Sequence, residues 1–238
     1  MSQPTARAQS RPVLIVFAKR PAPGEVKTRM CPPFQPDEAA DLYAAMLDDV
    51  LEASLDAARA VGAEAWLLVH PASAARELTL RCPPGFRVLP QRGADLAERM
   101  TDAVATAAAA GFGRILLRGS DSPALPVEHL VDGFRALVDV DLVVGPDRDG
   151  GYSWIGVRRP TPGLFDHPMS TSTVLEDTLA NAAAVGWTTR RLAAHFDFDT
   201  AEDLAHWLGK REAGGAEPCP RTLAWLESHT SWQAHRPT

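Results

Sequence analysis

Short, uninterrupted apolar runs alternate along this chain with segments of helical period, and that alternation constrains its fold more than any other feature. Residues 13–17, Val-Leu-Ile-Val-Phe, carry no polar side chain, the mark of a strand buried on both faces. A comparable run lies at 65–69, and further strands are expected at Arg114-Ile-Leu-Leu-Arg118, at Asp141-Leu-Val-Val-Gly145, and at 86–89, 152–157 and 187–192. Between the first two runs a helix opens at Pro36, Asp37 and Glu38, with proline early and acids in the first turn. Ala39, Leu42, Met46, Val50, Leu55 and Ala58 keep its apolar stripe in phase. Further helices are expected at 72–79, at 95–110 and at 126–138. Another runs from a Thr173/Glu176 capping box to about 185, another starts at Thr200 with Asp203, and a short one covers 222–228. Strands alternating with helices build a layered α/β domain around a mostly parallel sheet. The gap between the runs ending at Gly145 and beginning at Tyr152 is too short for a parallel crossover, so at least one strand must run antiparallel.

The 238 residues suffice for one large domain, expected over 12–228, with a disordered leader at 1–11 and a loose tail at 229–238. A net charge of −6 leaves no basic excess for nucleic-acid phosphates. No apolar stretch approaches the ~18 residues a membrane span needs, and the polar N-terminus lacks a signal-peptide core. Cys31, Cys82 and Cys219 are scattered without a CxxC pair, which excludes a zinc knuckle and a disulfide framework and fits a reducing cytoplasm. Of 24 basic residues only Lys19, Lys27 and Lys210 are lysine, and two of these three share one loop.

Ligands of open α/β sheets bind beyond the carboxyl ends of the strands, so the segments after each strand are the informative ones. After the first comes Ala18-Lys19-Arg20-Pro21-Ala22-Pro23-Gly24-Glu25-Val26-Lys27-Thr28-Arg29. Its four cations, its stiffening prolines and a glycine free to take positive φ suit either a phosphate cradle or a solvated basic loop. Neither a Walker A loop nor a GxGxxG is present. After the third strand, Gln91 could read a base edge or simply belong to a polar turn, with Leu96 and Arg99 following. Gly119-Ser120-Asp121-Ser122-Pro123 puts an acid where a Mg²⁺ or Mn²⁺ ligand would suit, or an Asx-turn. Asp149-Gly150-Gly151-Tyr152 joins two strands and would equally serve a plain hairpin. In Phe196-Asp197-Phe198-Asp199-Thr200-Ala201-Glu202-Asp203-Leu204, Thr200 and Asp203 explain the helix cap and leave Asp197 and Asp199 without a structural task. His195, beside Phe196, could be a ligand or a core histidine.

Together and in this order, these segments resemble the bacterial glycosyltransferases named for arsenosugar biosynthesis, over roughly residues 12–208. The resemblance implies a single-domain, three-layer nucleotide-diphospho-sugar transferase (GT-A-like) fold. It implies a metal-dependent transferase that binds a nucleotide-sugar and passes a glycosyl group to a small acceptor. Asp121 and Asp199 would share Mg²⁺ or Mn²⁺, and Ala18, Lys19, Gly24, Lys27, Thr28, Arg29, Gln91, Leu96 and Arg99 would hold the nucleotide and its phosphates. Asp149, Gly150, Gly151 and Tyr152 would face the sugar or acceptor, with Lys27, Asp121 and Asp149 closest to the chemistry. The last segment is also similar to the ending of nucleotidyltransferases such as the Kdo cytidylyltransferases. Departures are a Pro-rich first loop instead of a Gly-rich one, Ala201 in place of proline, and Met169-Ser170-Thr171 where the family tends to have tryptophan. Nucleotidyl transfer with release of pyrophosphate, and a non-catalytic nucleotide-binding relative, therefore stay open. So do the base, the sugar, the acceptor and the oligomeric state.

Overall fold

A computed structural model describes residues 10–169, 171–212 and 219–235. Seven strands form one sheet: β1 (Arg11–Lys19), β2 (Glu64–His70), β3 (Phe86–Pro90), β4 (Phe112–Arg118), β5 (Leu142–Pro146), β6 (Tyr152–Val157) and β7 (Thr189–Arg191). Their order is β3-β2-β1-β4-β6-β5-β7. β1 pairs in parallel with β2 and β4, and β2 with β3. β6 lies antiparallel to both β4 and β5, and β7 returns parallel to β5. The short 145–152 connection thus yields the one reversed strand, inserted between β4 and β5.

Alternate residues of the buried strands serve opposite faces. Val13, Ile15, Ile115 and Leu117 pack on one side with the helices α3 (Leu96–Ala109) and α5 (Val174–Ala184). Leu14, Val16, Leu116 and Trp154 face the other, under α1 (Pro36–Val61), α2 (Ala75–Arg81) and α4 (Val127–Ala136). The result is a three-layer α/β sandwich, as the apolar runs require. Pro36 stands in the first turn of α1, and the Glu38 carboxylate accepts from the Gln35 N–H at 2.8 Å. In the helix α6 (Ala201–Glu212), Asp203 Oδ2 accepts from the N–H groups of Asp199 and Thr200 and from the Thr200 hydroxyl. That carboxylate holds the chain at Asp199.

Four expectations change. The segment 229–238 is not a loose tail throughout: α8 (Thr230–His235) follows α7 (Pro220–Ser228), and Trp232 is buried, stacked on Phe34 at 5.9 Å. An apolar side chain with a neighbouring core to cover stays folded down. Most of the expected leader, residues 1–9, lies outside the described residues, but Arg11 already belongs to β1 and pairs with Phe112. The 187–192 strand is only three exposed residues at the sheet edge, because β7 has one neighbour to pair with. The Thr173/Glu176 capping box does not form: the Thr173 hydroxyl donates to Asp177, and Glu176 pairs with Arg191.

Candidate functional site

From β1 the chain steps one way to β2 and β3, while β4 lies on the other side, so the loops after β1 and β4 diverge and open a crevice at the carboxyl ends. Two buried side chains fix its lips. The Tyr43 hydroxyl accepts from the Lys19 N–H at 2.9 Å and shares a hydrogen bond with Ser120 at 2.8 Å. At the end of β4, the buried Arg118 guanidinium donates to the carbonyls of Ser122 and Gly119 and to the Ser54 hydroxyl. It anchors both ends of the turn that carries Asp121, although burial lowers its pKa to about 10.

In that crevice four of the candidate residues meet. Lys27 Nζ bonds to Asp121 Oδ1 and lies 3.1 Å from Asp199 Oδ1, and Arg29 reaches Asp199 Oδ2 at 3.2 Å. The Lys27 side chain is 4% exposed, whereas the carboxylates of Asp121 and Asp199 are 42% and 38% exposed. Burial opposes the lysine's charge, but the two carboxylates outweigh it and hold its pKa above the ordinary lysine range. Lys27 also has φ 48°, a left-handed conformation costly for any residue with a Cβ. The loop thus spends backbone energy to deliver this ammonium between two carboxylates. Asp121 and Asp199 are 78 positions apart in sequence yet converge on one cation.

Their chemistry also suits a divalent ion: two hard oxygen donors, with water and phosphate completing the shell. Among the described residues no three His, Cys, Asp or Glu side chains form a metal-holding group. The position between the two carboxylates belongs to Lys27, which a cation would have to share or displace. Lys27, expected on a phosphate, is on carboxylates.

The remaining candidates divide. Lys19, Thr28, Leu96 and Arg99 line a cavity of about 490 Å³ with Lys27 and Arg29. Gly24 has φ 75°, the turn conformation its type permits. Ala18 is buried in β1, and its carbonyl accepts from the Gln91 amide at 3.1 Å. The same amide donates to the Leu68 carbonyl at 2.8 Å. The Gln91 NH₂ thus ties together the ends of β1 and β2 with both its donors, while the residue lines the same cavity as the other candidates. Arg99 donates to the carbonyls of Gly93 and Ala94, so it also holds its own loop. Asp149 accepts from the Gly151 N–H at 2.9 Å, closing an Asx-turn, and Gly150 takes φ 91° against the Ser172 carbonyl. The Tyr152 hydroxyl faces Thr178 at 3.5 Å, and burial raises its pKa to about 12.

A second cavity, of about 600 Å³, adjoins the first. Phe17, Arg29, Leu96, Gly119, Asp121 and Asp199 line both, so the carboxylate pair stands between two chambers. Asp147, Asp149 and Asp197 line only the larger one. Asp147 and Asp197 were not among the candidates. Asp197 accepts from the Ser153 hydroxyl at 3.0 Å; burial, with Asp121 and Asp147 nearby, pushes its pKa up to about 8. Burial pushes Asp147 up to about 6. The signal for Asp197 was present, since helix capping left it unexplained. Asp147 lay hidden in a segment that reads as an ordinary turn. His195 stands apart from this cleft: its ring stacks on Phe196 at 5.1 Å, its Nε2 is buried without a partner, and burial and His129 lower its pKa to about 4.

A three-layer sandwich with one reversed strand and a cleft at the topological switch point defines the nucleotide-diphospho-sugar transferase class of fold. The chain belongs to a family described as "Uncharacterized protein conserved in bacteria (DUF2064)", whose model matches residues 52–173. It is similar to the crystal structure of a candidate nucleotide-diphospho-sugar transferase from Desulfovibrio desulfuricans G20, at 27% identity and a TM-score of 0.78, covering 95% of this chain and 94% of that one. The fold is also that of 4-diphosphocytidyl-2C-methyl-D-erythritol synthase from Anaerococcus prevotii DSM 20548, at 10% identity and a TM-score of 0.52 over 83% of this chain and 94% of the other. The bifunctional IspDF of Campylobacter jejuni gives the same score and identity over 82% of this chain and 53% of its own. No curated protein matches the sequence. No helix among the described residues is long and apolar enough to cross a membrane.

Proposed function

We propose that the chain is a transferase that binds a nucleotide-sugar and passes its glycosyl group to a small acceptor. The observation that carries this reading is the pair of chambers parted by Asp121 and Asp199, basic on one side and acidic on the other. The basic chamber suits a nucleotide diphosphate, with Lys19, Lys27, Thr28, Arg29 and Arg99 toward the phosphates and Leu96 offering an apolar surface to the base. Asp121 and Asp199 would hold Mg²⁺ or Mn²⁺, which when bound neutralises charge on the leaving diphosphate. Lys27 and Arg29 add fixed positive charge where the diphosphate leaves, the main electrostatic task of such a transfer. The larger chamber takes the sugar and acceptor, with Asp149, Gly151 and Tyr152 on its wall and Gly150 in the turn between them. The motifs shared with the glycosyltransferases named for arsenosugar biosynthesis, and the likeness to the D. desulfuricans protein, support the glycosyl branch. A cytoplasmic location belongs to the same proposal, supported by scattered cysteines with no CxxC pair. The test is product analysis with a panel of nucleotide-sugars, nucleoside triphosphates and small acceptors, with Mn²⁺ and with EDTA. Free nucleoside diphosphate formed only with metal is the expected result. Pyrophosphate as the product overturns the glycosyl reading in favour of nucleotidyl transfer, and tight nucleotide binding without turnover overturns catalysis itself.

A further inference from the structure

The two chambers differ in charge as well as in position. Lys19, Lys27 and Arg99 line only the smaller one, where Glu25 is the single acid not shared with its neighbour among the described residues. Asp147, Asp149 and Asp197 line only the larger one. Of its two cations, the buried Arg118 is held by the carbonyls of Ser122 and Gly119 and by Ser54, and Arg29 stands at the boundary with the smaller chamber, 70% exposed and in contact with Asp199. The rest of the larger chamber is apolar, with Met100, Leu117, Ile155, Met169 and Val174 on its walls and Leu96 at the boundary. A phosphate or carboxylate entering it would face Asp147 and Asp149 as well as Asp121 and Asp199, with Arg29 at the shared boundary as the one exposed cation among the described residues, and like charges at close range strongly disfavour association. An apolar body would instead bury surface against the aliphatic walls.

We infer that the acceptor is an uncharged or cationic small molecule with an apolar body and a hydroxyl group, and that phosphorylated acceptors are excluded. This rests on the transferase reading above and disfavours the branch in which a phosphorylated acceptor attacks a nucleoside triphosphate. In the reaction the acceptor oxygen bonds to the anomeric carbon and the bond from that carbon to the diphosphate oxygen breaks. The electron pair leaves with the nucleoside diphosphate, and the hydroxyl proton passes to a carboxylate of the acidic chamber. Asp147 and Asp149 both line this chamber, each with its Oδ1 engaged by a backbone N–H, of Arg148 at 2.6 Å and of Gly151 at 2.9 Å.

The experiment uses three probes with one body and different heads: 2-phenylethanol, 2-phenylethylamine and 2-phenylethyl phosphate. Their affinities for the full chain are measured by calorimetry, with and without saturating nucleoside diphosphate. The alcohol and the amine should bind at least tenfold more tightly than the phosphate ester. The gap should narrow at high salt as the carboxylates are screened, and Asp147→Asn, checked for folding by circular dichroism, should improve phosphate-ester binding about fivefold. A phosphate ester that binds as well as the alcohol, or no binding by any probe, overturns the inference. Because the series is also run without nucleotide, a failure of nucleotide binding is seen separately from a failure of head-group selection.

Discussion

Replacing Lys27 with methionine should increase the affinity of the nucleotide-free protein for Mn²⁺. The Lys27 ammonium bonds to Asp121 and lies 3.1 Å from Asp199, the two carboxylates proposed to hold a divalent ion. At an effective dielectric of ~20, a unit charge pair at that distance attracts by about 5 kcal/mol. Desolvation of the lysine, 4% exposed, and solvent access to carboxylates that are 42% and 38% exposed offset much of this. A net of about 1.5–3 kcal/mol remains for a cation to overcome, equivalent to roughly 10- to 150-fold in affinity. Methionine matches the length of the apolar stem and also carries a Cβ, so the left-handed backbone cost at φ 48° stays similar in both proteins. Free Mn²⁺, followed by electron paramagnetic resonance during titration of the full chain, gives the affinity directly. Circular dichroism and a urea midpoint confirm that the variant is folded. Lys27→Met should bind Mn²⁺ about 10- to 150-fold more tightly than wild type, and adding Asp199→Asn should abolish the gain. A folded Lys27→Met protein with wild-type Mn²⁺ affinity refutes the idea that lysine and metal compete for one position.

Gly150→Ala should destabilise the protein by about 2 kcal/mol or more, because φ is 91° and a Cβ there would sit 2.0 Å from the Ser172 carbonyl oxygen, a backbone atom that cannot swing aside. Urea denaturation measures it, and an unchanged midpoint refutes the turn geometry. His195, with a pKa lowered to about 4, binds fewer protons when folded than when unfolded, so its contribution to stability is present above pH ~6.5 and lost as pH falls toward 4. The groups acting on its ring besides burial are His129, Arg118, Lys210 and Arg148, all opposing its protonation. Between pH 7 and pH 5 wild type should lose about 2 kcal/mol through this residue, whereas His195→Phe, which also removes the unpartnered Nε2, should lose less. Equal losses in urea melts at the two pH values would contradict the assignment.

The layered fold was legible because burial leaves a periodic record. The continuous apolar run at 13–17 can only be a strand covered on both faces, and the short 145–152 connection can only reverse direction. The Thr200–Asp203 cap was legible for a similar reason, being a contact between neighbours in sequence. From that cap followed the suspicion about Asp199, left over once the helix end was explained. Gln91 and Lys27 show where such reasoning stops. Gln91 was chosen for its residue type and its place after a strand, but its amide lies within reach of two strand carbonyls, and only the β1–β2 register decides that. Lys27 reads as a phosphate ligand because lysine in a glycine-bearing loop suits phosphate. That its ammonium lies between Asp121 and Asp199 depends on three segments meeting at the switch point. Asp147 sits in a segment that reads as an ordinary turn; its raised pKa comes first from burial in the cleft, then from Asp149 in the same turn and Asp199 on another segment. Local periodicity records which face of an element is buried. The charge of a cleft is a sum over loops that only the closed sheet brings together.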